Sequence, residues 1–385
     1  MTNHKSRIIK QIVLISVNAL CLIAFVVCLS LSASIRNPLR SQQAYRAWAG
    51  QSGERFAQIS VFISESEAFD TNQIYMFRDS LDAALLGASM ESGRGRTLYA
   101  DAWSAKGSVS IVSELVATFE RSPVTAPVIG IGGDFFLFHP LILRDGSYIS
   151  PNDFMKDRVV LDEELAWRLF GSVHLAGLEV LVNDIPFTIA GVVARENDFA
   201  SRRAYSGGAG LFMSFEALEA LMDLSGDEII ITCYEIVMPD PITGFALSLV
   251  TEAEAFADAD VHIVENSARF SLSSTFGTVR SFGERSMRGD SIAFPYWENA
   301  ARLTEDWLAV LLVLALIFII FPVVCGVIYS VRIIRFLIGR GKKSVRKAID
   351  NRDQRLYEKY LLEHGEDPQI YSVDDIIREV NGDSY

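Results

Sequence analysis

The chain has 385 residues, 50% of them hydrophobic and only 22% charged, yet its formal net charge is −13. So large an acidic surplus disfavours nucleic-acid binding, which needs clustered Lys and Arg against phosphate, and four cysteines are too few for a disulfide-dense scaffold. A mean hydropathy of +0.24 is high for an acidic soluble domain, so the apolar residues must be concentrated locally.

They are concentrated at two places. From Gln11 to Ile35, and again from Trp307 to Val331, 25 residues pass without a charge. A helix of that length extends about 37 Å and crosses a hydrocarbon core of about 30 Å. Two transmembrane helices, 11–35 and 307–331, are therefore expected. The first run shares features with a cleaved signal peptide, namely basic Lys5, Arg7 and Lys10 before it and Ser32-Ala33-Ser34 near its end, but it exceeds the usual apolar length of such peptides. The second, as a buried core helix, would be unusually long and apolar.

Flanking charge sets the expected orientation. The N-terminal residues 1–10 carry +3 and the tail 332–385 carries +1, with Arg332, Arg335, Arg340, Lys342, Lys343, Arg346 and Lys347 directly after the second run; the segment between the runs carries −17. Both termini are expected in the cytoplasm, and 36–306 outside an inner or plasma membrane. Cys21, Cys28 and Cys325 lie in the runs, which leaves Cys233 alone outside, where the apolar stretch EIIITCYEIVM reads as a buried strand with a core thiol.

In chain order, Pro38 opens a short helical stalk, LRSQQAYRAWAG. FAQISVFIS is a strand with Ile59, Val61 and Ile63 alternating against polar neighbours. Residues 72–88 form a helix on the spacing of Ile74, Phe77, Leu81 and Leu85, and SVSIVSE and LVATFER follow as strands. From Pro127 to Ala194 short strands dominate: PVIGIGG, HPLILRDG, DRVVLD and the hairpin LEVLVND/IPFTIAGVV, turning at Asn183-Asp184. Among them lies one helix, DEELAWRLFG, capped by Asp162 and stopped by Gly171. SRRAYSGGAG reads as a loop, and Ser214 caps FEALEALM. PITGFALSLVTEAEAF reads as a helix with Pro241 in its first turn, VHIVEN as a strand, and SARFSLSSTFGTVRSFGERSM as helical. The fold class expected is α+β, with a β-rich subdomain at about 127–225 inserted in a discontinuous outer domain. The tail predicts a helix with Val345, Ile349, Leu356 and Tyr360 roughly on one face, and a final helix capped by Ser372 and Asp375.

No catalytic constellation emerges. Gly339-Arg-Gly-Lys-Lys-Ser344 lacks P-loop spacing, no G-x-S-x-G elbow occurs, and no two of the five His have helical metal-ligand spacing. His139 and His174 are read as structural, with a meeting in space left open. Asp162, Glu163 and Glu164 suit a helix start better than a carboxylate site. Gly130 to Gly133 reads as a strand-end turn, and Arg288-Gly-Asp290 as a chance match. The cluster Arg340, Lys342, Lys343, Arg346 and Lys347 has three readings: positive-inside anchoring on lipid headgroups, docking of a cytoplasmic ATPase, and, disfavoured by overall charge, nucleic-acid binding. No metal, cofactor or enzymatic activity is expected of the chain.

The stretch VIGIGGDFFLFHPLILRDGSYISPNDFMKDRVVLDEELAWRLFG followed by AGLEVLVNDIPFTIAGVV resembles the periplasmic core domain of MacB/FtsX/LolCE-type ABC transporter permeases. The resemblance rests on Asp134, Phe135 and Phe136 before a turn at Leu141 to Gly146, on Leu169-Phe170-Gly171, on Gly177, and on Gly191-Val192-Val193. It covers roughly 70 residues and implies structural, not catalytic, roles for them. It further implies a membrane subunit that transmits ATP hydrolysis in a partner chain to an outer domain, so that any ATP is bound by an ATP-binding-cassette subunit in trans. The resembled permeases carry four spans and this chain two, so the expected partners include a second permease subunit or a second copy, besides membrane lipids; a truncated product is the other reading. The alternative function is a non-transporting receptor or regulator whose outer domain binds an envelope protein or ligand.

Overall fold

The computed structural model describes residues 2–90, 97–113, 123–205, 210–257, 259–282 and 292–364. They fall into two compact units, one of residues 24–316 and one of residues 1–23 with 317–385. The described residues of the second unit are helical throughout. Its apolar side chains are unburied on all sides (Ile12 57%, Leu20 68%, Val327 58% exposed), as suits helices that face hydrocarbon. Among the described residues, two helices are long and apolar enough to cross a membrane.

The elements in order are α1 (Thr2–Arg36), a 3-10 turn (Arg40–Gln42), α2 (Ala44–Ala49), β1 (Phe56–Ile63), α3 (Thr71–Gly87), β2 (Ala100–Ser113), β3 (Val124–Gly133), α4 (Phe135–Phe138), β4 (Ile142–Gly146), β5 (Arg158–Asp162), α5 (Glu163–Phe170), β6 (Glu179–Val182), β7 (Ile185–Ala194), α6 (Ser201–Ala204), β8 (Leu211–Ser214), α7 (Phe215–Ser225), β9 (Cys233–Pro239), α8 (Phe245–Thr251), α9 (Glu254–Ala257), β10 (Val261–Glu265), α10 (Leu272–Arg280) and α11 (Tyr296–His364). This is the α+β class expected, with an apolar helix on either side of a β-rich centre.

The ten described strands form one sheet, ordered β10-β1-β9-β2-β3-β8-β5-β7-β4, with β6 pairing both β2 and β7. The double pairing of β6 has a topological consequence. Val180 to Val182 of β6 pair with Ile111 to Ser113 of β2 and, on the other side, with β7. Strands β2, β3, β8, β5, β7 and β6 therefore close into a ring, in which β3–β8 and β5–β7 are parallel. Its core holds Val109, Ile111, Val128, Val159, Leu161, Val180, Ile189 and Met213, sealed by α5 and α7 through Leu165, Leu169 and Leu218. Closure removes edges that would otherwise offer unpaired backbone groups. The β-rich stretch is thus fused to the rest of the domain through the long strand β2.

The open half, β10-β1-β9-β2, is covered on both faces. One face carries α3, α8 and α9 around Phe77, Tyr234 and Phe256, and the other carries α2, α4 and the start of α11 around Phe62, Phe135 and Trp297. Every residue of β1 is consequently buried, including Gln58 and Ser60, where alternation predicted an exposed polar face.

Local sequence explains most elements. Asp70 and Gln73 form a reciprocal capping box for α3, whose buried face is Ile74, Phe77, Leu81 and Leu85. Asp162 caps α5 through the Glu164 amide, and Gly171 ends it in the left-handed region. Ser214 caps α7, and Asn183-Asp184 turn with positive φ, as a two-residue hairpin requires. Four readings differ. The expected stalk after Pro38 folds back onto β1, because the Gln58 carboxamide accepts from the Ala44 amide (2.8 Å) and donates to the Ser41 carbonyl (2.7 Å). Leu141 to Gly146, a strand within HPLILRDG by its residues but a turn by the resemblance, contains strand β4 (Ile142–Gly146), paired with β7. The helix expected from Pro241 starts only at Phe245, with the Asp240 carboxylate accepting from the Ala246 amide. Ser201–Ala204, in the expected loop, is a short helix. The expected strand LVATFER, the tripeptide Arg288 to Asp290 and the Ser372 cap lie outside the described residues.

Gly146 and Gly191 are register partners between β4 and β7. Gly146 lies at φ +68°, and a Cβ there would sit 2.1 Å from the Ala190 carbonyl oxygen; a Cβ on Gly191 would sit 2.6 Å from that of Ser147. Both obstacles are backbone and cannot rotate away. Gly191→Ala should destabilise the chain by about 1–3 kcal/mol, read as a lower thermal midpoint in detergent, whereas Gly87→Ala at the open end of α3 should stay within about 0.5 kcal/mol.

Candidate functional site

The residues singled out by sequence separate onto two faces of the sheet. Phe135 is buried in α4 against Phe136, Phe212 and Trp297, and Phe136 stacks on Tyr148 with ring centroids 4.3 Å apart. Leu169, Phe170 and Gly171 instead end α5 over the ring core on the other face. Asp134 precedes α4 without capping it by side chain; burial, then the negative charge of Asp101, raise its pKa. Gly177 takes φ +86° before β6, its amide donating to the Ile189 carbonyl. Arg340, Lys342, Lys343, Arg346 and Lys347 all lie on α11, exposed. None of these residues makes a reactive cluster, and among the described residues no group of His, Cys, Asp and Glu could hold a metal ion. His139 and His174 do not meet: His174 is exposed beside Asp145, whereas His139 is buried against Glu235.

Chemistry is instead concentrated where the chain enters and leaves the outer domain. The polar residues of β1 and β9 on the α2/α4/α11 face would be a liability under an apolar cover, and each is hydrogen-bonded. Ser60 Oγ donates to Glu235 Oε1 (2.9 Å) and accepts from Asn266 Nδ2 (2.6 Å), while Glu235 Oε2 pairs with His139 Nε2. The His139 ring contacts both Phe135 and Trp297, with centroids 4.4 and 4.3 Å away. Trp297 belongs to the first turn of α11, so this chain of contacts ties the centre of the sheet to the root of that helix.

Beside it is a buried ion cluster. Arg269, in the loop between β10 and α10, donates from Nη1 and Nη2 to the two carboxylate oxygens of Glu298 (2.5 and 2.7 Å), from Nε to Glu305 Oε1 (2.6 Å), and from Nη1 to Gln42 Oε1 (3.2 Å). Arg302 Nε adds a bond to Glu298 Oε1 (2.9 Å), its guanidinium resting 3.5 Å from the Phe294 ring centre. Glu298 is 0%, Gln42 2% and Arg269 5% exposed. Two arginines and two glutamates make the cluster neutral. Three separate chain segments meet in it: the turn after α1, the loop after β10 and the first three turns of α11. Burial pushes the Glu298 carboxyl up, but Arg269 and Arg302 outweigh burial and hold it below its ordinary value of 4.5.

Sequence reading missed this cluster. Its only local trace is the i, i+4 pair Glu298 and Arg302; nothing links either to Arg269 or Gln42.

The family model of the MacB-like periplasmic core domain matches residues 19–242. The macrolide export ATP-binding/permease protein MacB of Chromobacterium violaceum is 40% identical over 81 residues, which are 20% of this chain and 13% of that protein's length. Among solved structures, the periplasmic region of MacB from Actinobacillus actinomycetemcomitans is similar at 16% identity and a TM-score of 0.40, over 57% of this chain and 92% of that one. The extracellular domain of the noncanonic ABC-type transporter YknZ from Gram-positive bacteria is similar at 16% identity and a TM-score of 0.35, over 54% of this chain and 99% of that one.

Arg269→Met should cost about 3–5 kcal/mol, because it takes the buried guanidinium from both Glu298 and Glu305 and leaves Arg302 on Glu298. The double substitution Arg269→Met/Glu298→Met should recover a large part of that loss in thermal unfolding. Because the folded-state pKa of Glu298 is depressed, its contribution is present above its ordinary value of 4.5 and is lost as pH falls through the lower folded value. Stability measured from pH 7 down to 3 should therefore decline more shallowly in Glu298→Gln than in the parent chain.

Proposed function

The chain belongs to the family of the MacB-like periplasmic core domain, and on that premise we propose that it is a membrane subunit of an ABC transporter-like complex. In this reading it couples ATP hydrolysis in a partner chain to movement of its outer domain, for export or for mechanical signalling. Both termini are cytoplasmic, and 36–306 is extracytoplasmic. ATP is bound by an ATP-binding-cassette subunit in trans, and the chain catalyses no reaction of its own. A second permease subunit or a second copy completes the membrane portion.

The observation that supports this reading is the use made of α11. Its first turns belong to the core of the outer domain, with Trp297, Glu298, Ala300, Ala301 and Thr304 buried. The same helix then contains the uncharged run from Trp307 to Val331 and the basic positions Arg340 to Lys347. A force applied along such a helix is received by the residues that pack its root, and those bonds reach the middle of the sheet through Trp297, His139 and Glu235. The basic positions recur on neighbouring turns, with Lys343 and Lys347 at i, i+4 spacing, as suits contact with an acidic protein surface or with lipid headgroups.

Affinity purification in mild detergent should recover an ATP-binding-cassette subunit with the chain. Replacing Lys342, Lys343, Arg346 and Lys347 by Glu should reduce that recovery at least tenfold while the outer domain keeps its thermal midpoint. Recovery of envelope proteins with no ATPase would favour the receptor reading instead.

A further inference from the structure

Helix α10 is built inside out for a helix on a soluble surface. Its inward residues are Thr275 and Thr278, 9% and 6% exposed, whereas Leu272 and Phe276 point away from the domain at 72% and 52% exposed. Phe282, just past its end, is 57% exposed. A surface helix in water normally turns its apolar stripe to the core and its polar stripe outward. The reversed arrangement calls for an apolar medium on the outer side.

The position of α10 identifies that medium. Arg269, three residues before Leu272, is clamped to Glu305, and Trp307, two residues after Glu305, begins the uncharged run of α11. Three residues of chain span at most about 10 Å, and two residues of helix about 3 Å, so α10 starts close to the level at which α11 becomes apolar. Phe270 packs into a collar with Leu39, Ala200, Ala300 and Leu303, and Phe199 of the same collar meets Trp307 edge-on at 5.5 Å. Leu39 lies three residues after α1, so the collar encloses both roots. The surface beside it is basic although the outer segment as a whole is acidic: Arg36 and Arg46 line a hollow of about 300 Å³ with Phe270 and Ser271, and Arg280 ends α10. Apolar side chains directed outward with arginines behind them are the composition of a helix lying in the headgroup and acyl boundary of a bilayer.

We propose that α10 is an interfacial membrane anchor, inserting Leu272 and Phe276 into the bilayer beside the roots of α1 and α11 and setting the height of the outer domain above the membrane. The anchor is independent of whether the chain works with an ATPase. It gives the outer domain a third contact with lipid, and motion of the α11 root relative to the bilayer plane would have to lift it.

The test places a single environment-sensitive fluorophore on the full-length chain, reconstituted in vesicles of phosphatidylethanolamine and phosphatidylglycerol at about 3:1. Phe276→Cys and Leu272→Cys carry it in turn, with Leu86→Cys on α3, 64% exposed, as the control. The native cysteines are first replaced by Ala or Ser, and unchanged thermal midpoints confirm that the exposed substitutions are tolerated. The labels on α10 should emit to the blue of the control and lose at least half their intensity to nitroxide-bearing lipids, while the control stays solvent-like. Solvent-like emission from both α10 sites would overturn the proposal. Blue-shifted emission that lipid nitroxides do not quench would also overturn it, since protein rather than lipid would then cover the helix.

Discussion

A buried arginine cannot be left alone in a protein interior, and Arg269 has been given two carboxylates and a carboxamide drawn from both ends of the outer domain. That constraint organises the root. The turn after α1 must approach so that Gln42 reaches the guanidinium, and α11 must present Glu298 and Glu305, two turns apart, to one cation. A buried pair of this kind adds little stability over apolar packing, because the Coulombic gain is spent against desolvation. What it supplies is discrimination between arrangements: any displacement that separates Arg269 from α11 takes its guanidinium from both glutamates and leaves Glu298 with Arg302. The root is therefore a joint with one strongly preferred setting.

The rest of the outer domain supports that setting from behind. The six-strand ring is closed by β6 and sealed by α5 and α7, so the β-rich half deforms little. The open half carries the polar line Asn266, Ser60, Glu235 and His139 to the Trp297 ring. Strand β2 belongs to both halves, pairing β9 at one end and β6 at the other. A shift of the α11 root is thus opposed by a hydrogen-bonded network and by the sheet's own register.

Much of this architecture was legible in the sequence, for identifiable reasons. The uncharged runs, the capping of α5 and α7, and the Asn183-Asp184 hairpin are local signals, and each residue acts on neighbours within a few positions. Glycine was legible only in part: Gly171 reads as a helix stop, but the opposition of Gly146 and Gly191 depends on the register between two strands, HPLILRDG and IPFTIAGVV, that no local signal pairs. Strand β1 misled, because alternation implies one wet face and this strand is covered on both. The ion cluster was invisible, since Gln42, Arg269 and Glu298 are joined only by the tertiary fold. The reversed face of α10 was likewise hidden; the pattern shows that the helix is two-sided but not which side turns outward.

The Arg269 cluster holds the root of α11 to the outer domain as a separable unit. Hydrogen exchange on the full-length chain in lipid nanodiscs, comparing the parent with Arg269→Met, tests it most directly. In the substituted chain the amides from Tyr296 to Asp306 and those of the turn at Arg40 to Gln42 should lose protection, while β5, β7 and β8 in the ring keep theirs. Unchanged protection at the α11 root, or an equal loss across the ring strands, would contradict it.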